Sequence, residues 1–96
     1  MNGAIAIVVL GPGGIETARR AASEIPDATV HGLRGRVPEA ETTFDDVGGH
    51  LRELFAADTA IVGVCAASIL IRSLALVLAD KAAEPPVVAL AEDGSA

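Results

Sequence analysis

The stretch that decides the fold is I-A-I-V-V-L-G-P-G-G, residues 5–14. A continuous, largely β-branched run such as Ile5–Leu10 marks a strand buried on both faces of a parallel sheet. The four residues Gly11–Gly14 break it. Ile15, Ala18, Ala22 and Ile25 then recur at helical spacing, and Pro26 stops the helix.

The same alternation continues along the chain. Residues 28–31 read as a second short strand, and 32–43 as a polar loop carrying Arg34 and Arg36, with His31 at its edge. A second helix is expected to start at Phe44-Asp45-Asp46, whose carboxylates suit a helix N-terminus. Val47, Leu51, Leu54 and Phe55 form its apolar stripe, while Gly48-Gly49 weakens its first turn. Residues 59–64 give a third strand. The small residues 65–68 turn into a third helix, and 87–91 give a fourth strand.

Strands alternating with helices predict an α/β fold: three layers, with a parallel sheet between helices on both faces. Right-handed crossovers leave few topologies. The expected one is flavodoxin-like, four-stranded, in the order 2-1-3-4, with the most apolar first and third strands at its centre. The switch point then falls between those two strands, where α/β sheets bind ligands at their carboxyl ends. The loops at that edge are Gly11–Gly14, Gly32–Arg36 and Cys65–Ser68.

Composition narrows the function. A chain of 96 residues with 51% hydrophobic content is one globular domain, residues 1–96, with a single core. Phe44 and Phe55 are its only aromatics, so Ile, Val, Leu and Ala build that core. Seven basic residues against thirteen acidic ones give a net charge of −6, which argues against nucleic acid as a partner. The longest apolar stretch, 64–79, falls short of the ~20 residues a bilayer requires and is interrupted by Arg72-Ser73, so no membrane partner is expected. The N-terminus lacks a positively charged leader region and a small-residue cleavage site. Cys65 is the single cysteine, so no internal disulfide forms. A cytoplasmic location fits these features.

Several features bear on chemistry, each with two readings. Gly11, Gly13 and Gly14 lead into a helix N-terminus, whose free N–H groups and dipole favour an anion; glycines equally serve a tight turn. No G-K-[ST] follows, and Glu16 stands where a dinucleotide fingerprint has its third glycine. Arg72 is the only charge between Val64 and Ala79, with Ser68 one turn earlier on the same helical face. Its guanidinium either reaches water along an apolar helix or meets an anion. Arg34 and Arg36 are either an ordinary exposed loop or a local positive rim on an acidic protein. Cys65, at the end of the third strand, reads as a small hydrophobe more than as a nucleophile. His31 and His50 are too far apart in sequence to read as a metal pair, and no metal site is expected.

The block 64–94 carries the most specific pattern: V-C-A-A-S-I-L-I-R-S-L-A-L-V-L-A-D-K, then A-A-E-P-P-V-V-A-L-A-E-D-G. It resembles the N-terminal part of the cobalt-precorrin-5A hydrolase family of cobalamin biosynthesis. There a C-A-T-G-I-V-V-R-like helix runs to D-K and then to a D-P-x-V-V-V strand ending in D-E-x-G. Cys65, Ala66, Ile69, Arg72, Asp80-Lys81, Pro85, Val87, Val88, Asp93 and Gly94 match; Ala67-Ser68 replace Thr-Gly, and Leu76 replaces a usual Pro.

The resemblance implies hydrolysis of the δ-lactone of cobalt-precorrin-5A with release of acetaldehyde. The substrate is an anionic tetrapyrrole, and Gly11, Gly13, Gly14, Ser68 and Arg72 are the residues expected to meet its carboxylates. Cobalt is expected only as part of that substrate, with no cofactor held by these residues. The family continues into further segments, including a Ser-Gly-His-x-Gly-Gly-Ala-Asn-like motif. These 96 residues are therefore expected to be the N-terminal part of a longer polypeptide, possessing neither an acid–base pair nor an activated nucleophile of their own. A fusion with precorrin-3B methyltransferase is one context. The rest of the polypeptide, or a second copy, is the expected macromolecular partner. The alternative is a non-catalytic module that binds an anionic small molecule or a partner domain.

Overall fold

The computed structural model describes residues 4–37, 40–65, 67–74 and 87–91, excepting the side chains of 67 and 68. Strand β1, Ile5–Val9, leads through a 3-10 turn at Pro12–Gly14 into helix α1, Ile15–Glu24. Strands β2, Ala28–Leu33, and β3, Thr42–Phe44, precede helix α2, Val47–Ala56. Strand β4, Ala60–Val64, helix α3, Ala67–Leu74, and strand β5, Val87–Leu90, complete the described elements. All described strand pairs are parallel, and the order is β3-β2-β1-β4-β5.

The expectation of four strands is corrected by β3. It pairs His31 with Thr42 and Leu33 with Phe44, so the second strand lies inside the sheet instead of at an edge. With it the arrangement becomes the 3-2-1-4-5 order of doubly wound sheets, in place of a flavodoxin-like 2-1-3-4. The strands anticipated from the sequence keep their relative places, β2-β1-β4-β5. The switch point remains between β1 and β4.

Period-two alternation divides the sheet residues between two apolar clusters. Ala6, Val8, Phe44 and Ile61 pack with Leu51 of α2 and with Leu70 and Leu74 of α3. Ile7, Val9, Val30 and Val64 pack on the opposite face with Ala18 of α1. This is the three-layer arrangement expected of an α/β chain. Val37, fully buried, joins the α1-side cluster from the β2–β3 connection. Residues 34–36 of that connection are exposed, as its polar composition suggested, whereas Ala40 packs against the same cluster as Val37.

Local chemistry explains the turns. Gly35 has φ 82°, and Arg36 N–H donates to Leu33 C=O (3.0 Å), so glycine occupies the position of the turn that needs positive φ. Helix α2 starts later than expected. Phe44 ends β3, and Asp46 is the cap, its Oδ2 accepting from Gly49 N–H at 3.1 Å. The carboxylate lies where a Gly49 side chain would be, which gives that glycine a purpose beyond weakening the turn. At the other end of α2, Thr59 N–H donates to Leu54 C=O and Asp58 N–H to Phe55 C=O, with Asp58 at φ 62°. This is the Schellman pattern, carried by aspartate where glycine is usual.

Candidate functional site

The carboxyl edge of the sheet at the switch point is built by the segments after β1 and β4. Gly11 and the Pro12–Gly14 turn carry the chain from β1 into α1, which packs on one face. Cys65 leads from β4 into α3, which packs on the other. The two helix starts therefore flank the crevice between β1 and β4 from opposite sides.

On the β1 side, Gly14 caps α1 without any side-chain hydrogen bond, and Gly14 N–H donates to Gly11 C=O at 3.2 Å. No side chain caps the positive end of the α1 dipole, although Ile15 N–H is taken by Pro12 C=O within the turn. Glu16 in the first turn opposes that field. Arg36 reinforces it: its Nη2 lies 3.7 Å from where a Gly11 side chain would begin. Arg34 behaves differently. Its Nε pairs with Asp45 Oδ1 at 2.8 Å, both side chains largely exposed, so the anticipated two-arginine rim is divided. One guanidinium faces the glycine turn, and the other is held at the β3–α2 corner.

On the β4 side, Ser68 falls in the first turn of α3 and Arg72 in its last. Arg72 is exposed, whereas Leu70 and Leu74 are buried, so it stands on the outer side of the helix about a turn away from the crevice. Spacing aligns it with Ser68, whose side chain is outside the described set. Cys65 is half-buried against the α2–α3 cluster. Ala66, Leu76, Asp80, Lys81, Pro85, Asp93 and Gly94, which contribute to the family pattern, lie outside the described residues. Val87 and Val88 are in β5.

The dinucleotide reading loses further ground. Doubly wound dinucleotide folds place an acidic residue at the end of the second strand to bind ribose. Here that end is Leu33-Arg34.

One cluster escaped the sequence reading. His31 on β2 and His50 on α2, separated by 19 residues, meet with Nδ1 and Nε2 2.9 Å apart. Thr29 Oγ1 lies 3.1 Å from the other nitrogen of His31, and Phe44 stacks on the His50 ring at 4.4 Å. Burial lowers both histidines from the ordinary imidazole value. The neighbouring His50 lowers His31 further against an opposing Glu41, and Glu53 opposes the shift at His50. Among the described residues no group of three or more His, Cys, Asp or Glu side chains is placed to hold a metal ion.

Beside this pair runs an open groove of about 370 Å³, lined by Thr43, Phe44, Asp45, Asp46, Gly49, His50 and Glu53. Its three carboxylates have the wrong sign for a carboxylate-rich ligand. Among the described residues no helix is long and apolar enough to cross a membrane.

The family model for the cobalamin synthesis G N-terminal region matches residues 49–96, half of the chain. No curated protein and no solved structure matches the chain.

Proposed function

Because the chain belongs to the cobalamin synthesis G N-terminal family, we propose that it serves corrin-ring construction as the anion-binding front module of a cobalt-precorrin-5A hydrolase. The reaction is the addition of water to a δ-lactone with release of a two-carbon fragment as acetaldehyde. The substrate is a cobalt tetrapyrrole bearing many carboxylates. The setting is cytoplasmic, and the remainder of the same polypeptide, a methyltransferase fusion included, completes the chemistry.

The observation that carries this reading is the approach of Arg36 to Gly11 beside the uncapped start of α1. The Arg36 guanidinium at the glycine turn, beside the positive end of the α1 dipole, supports a carboxylate seat. Gly11 and Gly13 allow close approach of the ligand on one side of the crevice, whereas Gly14, also expected there, is buried beneath the turn. Arg72, exposed on the outer side of α3, would be a second cation farther from the crevice, one turn after Ser68 in the helix. Carboxylates spread around a macrocycle are suited to seats this far apart.

A second reading, a non-catalytic module that binds an anionic ligand or a partner domain, draws on the packing of Cys65. Cys65, at the end of β4, is half-buried and packs against the α2–α3 cluster.

Titration with a cobalt corrinoid whose side chains are free carboxylates, followed by its visible spectrum, tests the binding site. Arg72→Ala is expected to weaken binding several-fold with the fold intact, since exposed charge-assisted contacts are worth about 1 kcal/mol. Unchanged binding would remove Arg72 from the site. Acetaldehyde release by the natural full-length polypeptide separates the hydrolase from the non-catalytic reading.

A further inference from the structure

We propose that His31 and His50 form a one-proton clamp between β2 and the first turn of α2, and that uptake of a second proton swings the His50 ring into the neighbouring carboxylate groove. The clamp follows from geometry. With Nδ1 of His31 and Nε2 of His50 2.9 Å apart, one N–H fills the space between two nitrogens. If both rings are cationic, each of these nitrogens carries a hydrogen and the contact cannot close.

The clamp holds three elements together. His31 projects from β2, its other nitrogen fixed by Thr29. His50 projects from α2, where its own N–H donates to Asp46 C=O at 2.9 Å. Phe44, at the end of β3, lies nearly parallel to the His50 ring, 6° between planes. The His50 ring, stacked on Phe44, is half-buried and borders the open groove.

The open position is also built. The groove that Phe44 and His50 already border also carries Asp45, Asp46 and Glu53, so a cationic ring that turns away from His31 moves deeper into a region of opposite charge. Other charged groups around the pair do not replace this destination. Glu41, ahead of β3, faces His31, but its Oε1 accepts from Val30 N–H at 3.3 Å. Arg34 is paired with Asp45, and Arg52 donates to Ser73 C=O toward α3. From β1, the register partner of His31 is Val8, which carries no charge. The lowered proton affinity of both rings agrees with a closed state that resists the second proton.

NMR titration of the full chain from pH 8 to pH 5 is the test. The expected result is coupled titration of both rings with midpoints below the ordinary value of about 6.5. The amides of Gly48–Leu51 should shift in the same step, with loss of the Phe44–His50 ring contact in acid. His50→Gln, which keeps hydrogen-bonding capacity without titrating, should leave those amides unmoved. Independent titration of the two rings near 6.5 with static amides would overturn the clamp. So would the same amide movement persisting in His50→Gln.

Discussion

Gly32 and Val37 are packed so closely that a methyl group on Gly32 would sit 2.7 Å from Val37 Cβ, and equally close to Ala40 Cβ. This close approach accompanies the packing of Val37 and Ala40 in the apolar cluster on the α1 side. Both opposing atoms are Cβ atoms, which move only with the backbone. Gly32→Ala should therefore destabilise the protein by about 1–3 kcal/mol through overpacking. Denaturant unfolding measures this. A Gly32→Ala variant as stable as the parent would show that the crossover repacks freely.

Two polar contacts at the β3–α2 corner should differ in weight. Asp46 Oδ2 satisfies an otherwise unpaired helix N–H, and Asp46→Ala is expected to cost about 1 kcal/mol. The Arg34–Asp45 pair is short but has side chains 66% and 74% exposed, so Arg34→Ala should cost no more than about 0.5 kcal/mol. Thermal unfolding of both variants under one condition gives the ranking, and the reverse order would contradict it.

Asp27 follows Pro26 in the turn between α1 and β2, at φ 65°. Aspartate tolerates this left-handed conformation at a cost that glycine avoids. Asp27→Gly should accordingly raise stability by up to about 1 kcal/mol, the strain relieved outweighing the extra freedom of the unfolded chain. A lower unfolding midpoint would mean that the aspartate side chain contributes more than its backbone costs.

How much of this was legible in advance follows the range of each signal. The apolar run of β1, the α1 spacing and the α2 stripe around Leu51 are local periodicities, and each appears where the sequence puts it. Strand β3 is three residues with two exposed threonines, so it has no run to read. Val37 is a lone apolar residue among polar neighbours and has no period. Phe44 beside two aspartates looks like a helix start, although its ring belongs to the core and to His50. The contact of His31 with His50 exists only because β3 and α2 return the chain across β2. Likewise, composition marks Arg34 and Arg36 equally, and only the turn at Gly35 sends them to different partners.

Stability should fall in mild acid. Both histidines bind protons less readily folded than unfolded, so the unfolded chain takes up more protons as pH drops through the ordinary imidazole value. The contribution is fully present above about pH 6.5 and lost as pH falls below it toward the lowered folded values. Unfolding midpoints at pH 7.5 and pH 5 should show the loss. It should shrink in His31→Gln or His50→Gln, once allowance is made for each variant's stability at pH 7.5. A pH dependence identical in the variants would assign the effect to carboxylates.

The division of the two arginines gives a prediction about ligand recognition. Arg36 reaches the glycine turn, whereas Arg34 is occupied by Asp45. If the switch-point edge seats a carboxylate, Arg36→Ala should weaken binding of the carboxylate-bearing corrinoid about fivefold, the equivalent of about 1 kcal/mol at an exposed charge-assisted contact. Arg34→Ala should leave it within about twofold, because its charge is already neutralised and screened at physiological salt. Parallel spectral titrations of the two variants at fixed ionic strength decide the matter. Equal losses would mean that net charge attracts the ligand from a distance. A loss confined to Arg34→Ala would move the seat to the β3–α2 corner, where the carboxylate groove makes an anion unwelcome.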